Sequence, residues 1–443
     1  MKKLNIFADD VLVGHLSEGD RVSMFFTYAH DWLANESATP LSPDIPLSDR
    51  EFCGDPVMSF FENLLPEGDV LEFISKAAQI SSSNVFGLLE RFGGDTAGAF
   101  SLLPEGMFPS DEPHYLPVTS QEIKQWFNKS RGIPLDIVGE QARMSLSGAQ
   151  DKMTVFIDSN GTLFLPLGAA PSSHIIKPSV NHRNDIQNTA INEAMVMMIA
   201  KEVGLDVAEV RYASELDAVV VTRYDRVIDE DNWLRRLHQN DICQILSIPS
   251  GKKYESEGGP SLQVCFKSVL ERSARPAADK KRLIEWVVFN VLVGNMDGHA
   301  KNLSLMTVGN RTKLSPFYDM ICTAVYPNLS QKFAFKIGGE NRPKWMMPRH
   351  WDRFASETGT KPQLVKKIMA DIIMRVECAL PIVTERLRLC ISKPDELLMI
   401  DNIEKVIVRS LTEMKGKLKN TATEPTIENE PAVEANESEF RLS

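Results

Sequence analysis

The spacing of apolar residues changes at about residue 229, and no other feature restricts the possible fold as much. Between residues 141 and 228, short runs of β-branched and aromatic residues alternate with turn residues, a pattern typical of strands. One apolar stripe of helical period, from Ile191 to Val203, interrupts these runs and is closed by Gly204. After residue 229 the apolar spacing is mainly helical. The pattern predicts a small sheet-rich unit with one helix, followed by a helical unit.

The elements of these two units are predicted from short runs of sequence. Strands are expected at 154–157, 162–165, 173–177 and 218–221. Helices are expected at 280–293, 363–374, 376–390 and 396–415, with a short β-like piece at 331–337.

The first 140 residues are predicted to form an α+β module. Alternating apolar runs on either side of Asp9-Asp10 indicate a β-hairpin, and helical spacing follows at 57–65 and 68–78. The last residues carry six Glu against one Arg and few large apolar side chains, so they are predicted to be a disordered acidic tail. The predicted divisions are an N-terminal subdomain at 1–140, a nucleotide-binding lobe at 141–228, a helical catalytic lobe at 229–420 and the tail at 421–443.

Composition excludes several classes of protein. With 443 residues, 43% hydrophobic and 25% charged, the bulk of the chain is ordinary globular protein rather than a disordered, collagen-like or coiled-coil chain. A net charge of −11 gives no overall attraction to nucleic acid, so DNA contact requires a local basic patch or a basic partner. Six scattered cysteines without a CxxC pair, and no apolar run long enough for a membrane span, predict a cytoplasmic protein without membrane contact.

The clearest chemical signal is the run from Gly294 to Asn302, followed by Asp319. In phosphoryl transfer from ATP, an Asp accepts or orients the acceptor hydroxyl proton while an Asn and a second Asp hold Mg²⁺. Asp297 and Asn302 have the five-residue offset of a protein-kinase catalytic loop, and a predicted strand at 303–306 followed by a turn would return Asp319 beside Asn302. The spacing predicts Asp297 as catalytic base and Asn302 and Asp319 as metal ligands.

A kinase also needs a cation fixed on a strand beside the ATP phosphates. Lys177 follows His174 and two β-branched residues, Ile175 and Ile176. Glu193 opens the following helix and is a candidate partner for the lysine. The small, polar run from Ser145 to Lys152 suits a loop whose backbone N–H groups cover phosphates. The apolar run 219–221 stops at Thr222-Arg223-Tyr224, as a hinge between two lobes does, where backbone groups would bind adenine and Tyr224 would pack on it.

Together these motifs resemble the HipA family of serine/threonine kinases, the toxin halves of HipBA toxin–antitoxin systems. The matching blocks, which run in family order from about residue 60 to 320, are Asn63-Leu64-Leu65-Pro66-Glu67, Gly94-Asp95-x-x-Gly98-Ala99, Ser145-x-x-Gly148-Ala149-Gln150-Asp151-Lys152, His174-Ile175-Ile176-Lys177, Tyr224-Asp225-Arg226, Lys253-Tyr254-Glu255-Ser256-Glu257-Gly258-Gly259-Pro260, Asp297-Gly298-His299-Ala300-Lys301-Asn302 and Pro316-Phe317-Tyr318-Asp319.

The resemblance implies an α+β fold with two protein-kinase-like lobes and an added N-terminal subdomain, with ATP and Mg²⁺ as cofactors. Residues expected at the nucleotide are Ser147, Gly148, Ala149, Gln150, Asp151, Lys152, Lys177, Thr222, Arg223, Tyr224, His299, Ala300, Lys301, Asn302, Tyr318 and Asp319. The family autophosphorylates a serine in the phosphate loop, which here is Ser145 or Ser147. Thr222 departs from relatives that carry a hinge Glu.

The resemblance also implies partners. They are a HipB-like helix-turn-helix antitoxin, operator DNA bound through the antitoxin complex with repression of the operon, and glutamyl-tRNA synthetase as the protein substrate whose phosphorylation inhibits translation. Two alternatives stay open at this point, because the same Asp/Asn/Asp chemistry serves other enzymes. In the first alternative the chain is a kinase for a small molecule or lipid. In the second it is a non-catalytic corepressor with a structural nucleotide site.

Overall fold

Antiparallel sheets in the first two thirds of the chain give way to long helices in the last third. The computed structural model describes residues 2–420 except 21–22, 111, 132–147, 149, 181–182 and 184. The predicted acidic tail at 421–443 lies outside the described residues.

The strands pair antiparallel throughout. Their bounds are β1 Lys3–Ala8, β2 Val11–Glu18, β3 Met24–Tyr28, β4 Phe52–Cys53, β5 Phe100–Pro104, β6 Tyr115–Pro117, β7 Met153–Ile157, β8 Leu163–Pro166, β9 His174–Pro178, β10 Val210–Ala213, β11 Ala218–Thr222, β12 Arg226–Ile228, β13 Leu234–Arg236, β14 His238–Asp241, β15 Ser304–Val308 and β16 Arg311–Leu314.

The described helices before residue 180 have at most 11 residues, whereas the three longest after residue 275 have 18, 27 and 27 residues. Their bounds are α1 His30–Ala34, α2 Asp55–Glu62, α3 Gly68–Ala78, α4 Val85–Phe92, α5 Ser120–Ser130, α6 Thr189–Glu202, α7 Ile242–Ile245, α8 Leu262–Arg272, α9 Pro276–Val293, α10 Pro348–Glu357, α11 Pro362–Arg388 and α12 Pro394–Asn420.

The N-terminal module is a five-stranded sheet of order β4-β3-β2-β1-β5 with a core of its own. The predicted hairpin around Asp9-Asp10 is confirmed, with Ile6 opposite Gly14. Helices α2, α3 and α4 contribute apolar faces to the same core, including Phe60, Phe61 and Leu88, which are almost fully buried. Burial of these faces explains why short helices, which are marginal alone, are stable here.

A second sheet, of order β10-β11-β9-β7-β8-β6, carries one side of the candidate site. The four strands predicted between residues 154 and 221 are confirmed as β7, β8, β9 and β11, and β6 adds an edge strand from before residue 141. Helix α6 packs between this sheet and α11. Its side chains are buried on nearly every side of the helix, among them Ile191, Met195 and Ile199. A helix that is apolar all round is expected to be buried in this way.

The C-terminal region packs α8 to α12 around one large apolar core, and two expectations are corrected there. The segments 363–374 and 376–390 are one helix, α11, which continues through Pro381. The β-like piece at 331–337 forms no strand; only Ile337 makes an isolated bridge, to Glu340. Apolar side chains of this loop, such as Phe335, bury themselves in the core without sheet pairing, which explains the misleading pattern. Over the described part of the chain, each helix is either too short or too polar to span a bilayer.

Candidate active site

A cleft of about 600 Å³ lies between the second sheet, the loops that follow α9 and the segment that precedes α3. Most of the residues predicted from the sequence border it. They are Gly148, Gln150, Lys152, Lys177, Thr222, Arg223, Tyr224, Asp297, His299, Lys301, Asn302, Tyr318 and Asp319. Glu193 borders the same cleft, so the predicted cations and carboxylates converge in one place.

Asp297 sits in the tight loop that ends α9. Gly294 stops the helix with φ +69°, and the Asn295 side chain accepts the backbone N–H of Asp297 at 3.0 Å. The Tyr254 hydroxyl donates to Asp297 Oδ1 at 2.5 Å. Asp297 is exposed to the cleft, yet loss of hydration raises its pKa to about 6, against the opposing effects of the Tyr254 hydrogen bond and the Lys253 charge. A carboxylate with this pKa is ionised at pH 7 and still basic enough to take a proton.

The hairpin β15–β16 brings Asp319 back to the catalytic loop, as predicted. Asn302 Nδ2 donates to Asp319 Oδ2 at 3.1 Å, and Asn302 Oδ1 accepts the backbone N–H of His299 at 2.9 Å. Asp319 itself has a φ of +59°, a left-handed conformation that costs free energy in a residue other than glycine and is common at functional sites.

Lys177 connects the sheet with both carboxylates. Its Nζ donates to Glu193 Oε1 at 2.7 Å and to Asp319 Oδ1 at 2.5 Å, so the pairing expected from the sequence is present. Although burial opposes the charged form, these two carboxylates raise the pKa of Lys177. The same holds in reverse for Asp319: burial works against its charge, but Lys177 and Lys152 hold its pKa well below the usual range. Lys177 and Asp319 are therefore both charged at pH 7.

The phosphate loop is described at Gly148, Gln150, Asp151 and Lys152. Gly148 has a φ of +110°, a backbone conformation that residues with a side chain rarely adopt, so glycine is favoured at this point of the loop. Burial, followed by the like charge of Lys177, lowers the pKa of Lys152 to about 8. Asp151 pairs instead with Arg131 at 3.4 Å. Ser145, Ser147 and Ala149 lie outside the described residues.

In the segment predicted as a hinge, two backbone N–H groups are already hydrogen-bonded within the protein. The N–H of Thr222 donates to the Glu209 carbonyl at 2.8 Å, and that of Arg223 donates to the Ser173 carbonyl at 3.0 Å. The Arg223 guanidinium is buried against carboxylates of the N-terminal module and of its own segment. Tyr224 packs beside the Tyr318 ring, with centroids 5.6 Å apart.

Several of the residues predicted at the nucleotide also hold the loop around Asp297 in place. Ala300 is fully buried in the core beneath the loop. The Tyr318 hydroxyl donates to the Lys301 carbonyl at 2.5 Å and so fixes the catalytic loop. His299 is buried, which lowers its pKa to about 3 and keeps the ring neutral at pH 7. The Lys301 ammonium lies against Asn63 Oδ1 at 2.6 Å.

The sequence analysis assigned no role to three residues at the centre of the cleft: Glu67, Lys253 and Tyr254. Glu67 pairs with Lys253 at 2.6 Å and with Lys301 at 2.9 Å. All three belong to blocks that match the HipA family, so membership in a matched block was the only available signal. Their partners are distant in sequence, and local spacing does not encode such contacts.

Asn302 and Asp319 carry the types of oxygen that suit Mg²⁺, and in this structure the Asn302 oxygen accepts the His299 N–H while the amide nitrogen faces Asp319. Carboxylate and amide oxygens are the hard ligands that Mg²⁺ prefers, and it usually takes only one or two from the protein while phosphates and water supply the others. The described residues contain no group of three or more His, Cys, Asp or Glu side chains that could hold a metal ion. The donor set therefore suits a metal that arrives with a nucleotide.

Comparison with known proteins identifies the family. A family model described as HipA-like C-terminal domain matches residues 144–380, and one described as HipA N-terminal domain matches residues 4–103. A putative kinase, Y4mE, of Sinorhizobium fredii is 37% identical over 84% of this chain and 90% of its own. The serine/threonine-protein kinase toxin HipA of Shewanella oneidensis is 30% identical over 85% of this chain and 88% of its own.

Solved structures point the same way. The structure of the Shewanella oneidensis MR-1 toxin–antitoxin complex of HipA, HipB and operator DNA contains a chain that superposes with a TM-score of 0.82 at 27% identity. The superposition covers 96% of this chain and all of that chain. The α+β architecture is therefore the bilobal kinase-like fold with an added N-terminal subdomain.

Proposed function

This chain belongs to the HipA family of serine/threonine-protein kinases, and from that premise we propose that its cleft transfers the γ-phosphoryl group of ATP to a hydroxyl of a protein substrate, with Asp297 as the base. One observation carries the proposal. Lys177 joins Glu193 and Asp319 while Asn302 binds Asp319, so the charges that phosphoryl transfer requires lie together on the cleft wall beside Asp297.

In the proposed reaction, the oxygen of the substrate hydroxyl forms a bond to the γ-phosphorus while the bond from the γ-phosphorus to ADP breaks. Asp297 accepts the proton that the hydroxyl releases. Asn302 and Asp319 would hold Mg²⁺, which supplies positive charge against the phosphates when it is bound. Lys177 and Lys152 add fixed positive charge on the same side of the cleft. Glu193 keeps the Lys177 ammonium in place, and the Thr222–Tyr224 segment borders the cleft where adenine would bind.

Variants of the two aspartates test the assignment. Asp297→Gln and Asp319→Ala should abolish phosphate transfer from ATP to protein, because each removes a charge that acts on the transferred group. Both should keep a wild-type circular-dichroism spectrum, since both side chains face the cleft rather than a core. Near wild-type turnover in either variant would overturn the assignment.

We further propose that Ser145 or Ser147 is autophosphorylated and that this inhibits the kinase. A phosphoserine adds about 1.5 to 2 negative charges, in the loop that ends at Lys152. The added charge would repel ATP phosphates. Mass spectrometry after incubation with Mg-ATP should find phosphate on one of these serines in the wild type and on neither in Asp297→Gln. An unmodified loop in active enzyme would contradict the proposal.

The partner of a structural relative suggests the partner here. The Shewanella oneidensis HipA chain was solved with HipB and operator DNA. We propose that this chain likewise binds a HipB-like antitoxin, binds operator DNA only through that complex, and phosphorylates glutamyl-tRNA synthetase. The net charge of −11 supports DNA binding through a basic partner. Tight, salt-sensitive binding of the isolated chain to its promoter in a mobility-shift assay would contradict the proposal that it binds DNA only through the antitoxin complex.

A further inference from the structure

One segment of the N-terminal module reaches the centre of the cleft. It runs from Asn63 to Glu67, between α2 and α3, and therefore lies outside both lobes of the kinase. The Glu67 backbone N–H donates to the Gly148 carbonyl at 3.1 Å, and Pro66 makes a parallel bridge to Gly148. The module is thus joined to the phosphate loop by its main chain.

The Glu67 side chain makes two further contacts, to two different loops. Its Oε2 accepts from Lys253 Nζ at 2.6 Å and its Oε1 lies 2.9 Å from Lys301 Nζ. The side chains are mostly buried, with 11% of Glu67, 14% of Lys253 and 5% of Lys301 exposed. Although burial opposes ionisation, the two lysines lower the pKa of Glu67 to about 2, so it stays charged over the working range of pH.

Both lysines belong to loops that hold Asp297. The Lys253 carbonyl accepts the backbone N–H of Ala300 at 3.3 Å, and the next residue, Tyr254, donates its hydroxyl to Asp297. Lys301 is in the catalytic loop itself, one residue before Asn302. A single carboxylate therefore fixes the loop that contacts the base and the loop that contains it.

We propose that Glu67 is a positioning residue for phosphoryl transfer, through which the N-terminal module sets the geometry and the charge around Asp297. The inference rests on the proposed role of Asp297 as base. Without the Glu67 charge, Lys253 and Lys301 would lose their shared counter-ion, and among the described residues only Lys301 would keep a second ion-paired carboxylate, Asp241 at 3.8 Å. The Glu67 side-chain link between the N-terminal module and the Tyr254 loop would also be lost. The kinase lobes alone are then incomplete as a catalyst.

The variant Glu67→Gln tests this, with Glu62→Gln as a matched control. Glu62 is on the same module and accepts from Ser250 Oγ at 2.6 Å, but it contacts neither lysine. Glu67→Gln should lower kcat on the order of tenfold to a hundredfold, the cost of a misplaced catalytic group, while KM for ATP changes far less. Glu62→Gln should keep the wild-type kcat.

The pH profile gives a readout that loss of structure alone would not move. The groups that act on Asp297 are the Tyr254 hydroxyl, through its hydrogen bond, and the charges of Lys253, Asp319 and Glu67. Removal of the Glu67 charge lowers the pKa of Asp297, so the acidic limb of kcat/KM should move to lower pH even as kcat falls. Glu67→Asp, which keeps the charge, should restore the wild-type limb.

A second variant keeps the inference testable if Glu67→Gln does not fold. Lys253→Met removes the cation that Glu67 holds, so the acidic limb should move to higher pH. A wild-type kcat and limb in Glu67→Gln, or an unmoved limb in Lys253→Met, would overturn the inference while an inactive Asp297→Gln still supports the proposed function. An active Asp297→Gln would overturn both.

Discussion

The protonation state of the Asp297 carboxylate is set first by its loss of hydration and then by an opposing hydrogen bond. Desolvation raises its pKa to about 6, and the Tyr254 hydroxyl is the first of the opposing influences. Because a base acts in its ionised form, kcat/KM should rise with pH through this value. The Tyr254 hydroxyl itself stays protonated, since burial and the Asp297 charge raise its own pKa.

Tyr254→Phe should therefore move the acidic limb of kcat/KM to higher pH. The hydrogen bond stabilises the ionised carboxylate, and its loss favours the protonated form. The relative loss of activity should be largest at and below pH 6 and smallest well above it. Tyr115→Phe is a suitable control, because that hydroxyl donates to the Pro171 carbonyl. A limb that stays in place, or moves to lower pH, would show that the hydroxyl does not act on the base.

For single residues, the sequence predicts contacts between partners that are close together along the chain. Asn302 and Asp319 were predicted to meet because a strand pair between them requires it, and they do meet. Tyr254 and Asp297 are 43 residues apart, and Glu67 and Lys253 are 186 apart. No periodicity connects such pairs, so their contact depends on how whole elements pack.

Among the elements, α6 links the sheet to the segment that follows Asp319. Asn192 Nδ2 donates to the Cys322 carbonyl at 3.0 Å and Asn192 Oδ1 accepts the Cys322 N–H at 2.9 Å. Asn192 is completely buried. Its neighbour Glu193 holds Lys177, so one turn of α6 orients both the lysine and the segment that carries the proposed metal ligand.

Asn192→Leu should destabilise the protein by about 1–3 kcal/mol, the cost of leaving a buried backbone donor or acceptor unpaired. It should also lower kcat, because the Cys322 segment begins three residues after Asp319. Urea denaturation and steady-state kinetics measure the two effects. Lys201→Met on the same helix breaks only an exposed pair with Glu209 and should cost less than about 1 kcal/mol. Equal stability of the two variants would contradict this role.

The continuous helix α11 shows where element prediction fails. The two segments were predicted to separate near residue 375, whereas the helix runs unbroken from Pro362 to Arg388. It also contains Pro381, and a proline inside a helix costs roughly 3 kcal/mol or more. Pro381 lies on the exposed face of the helix, whereas Leu380 before it and Val383 after it are buried in the core. Each such burial contributes about 1.5–3 kcal/mol. Tertiary packing thus offsets the local cost, and a sequence window does not contain that term.

For the whole molecule, a buried ionic network joins the N-terminal module to the proposed hinge. Asp95 accepts from Arg223 at 3.2 Å, Arg226 at 2.9 Å and Arg236 at 3.3 Å, and from the Ser172 hydroxyl at 2.6 Å. The Arg and Asp side chains of the network are at most 5% exposed. Gly98 of the module donates its backbone N–H to the Asp225 carboxylate. Module and hinge are therefore held as one unit by charge as well as by packing.

Asp95→Asn should destabilise the protein by about 3–5 kcal/mol at pH 7, because it leaves three buried guanidinium groups with a single fully buried carboxylate. Burial opposes ionisation of Asp95, but the arginines hold its pKa below the usual range. The stability it contributes is therefore fully present above the unfolded pKa of about 3.9 and is lost as the pH falls through the lower folded value. The difference between wild type and variant in urea denaturation should accordingly shrink below about pH 4. Glu404→Gln, which breaks an exposed pair with Arg388, should change stability by less than about 1 kcal/mol at either pH. If Asp95→Asn were as stable as this control at pH 7, the network would not be what holds the module to the hinge.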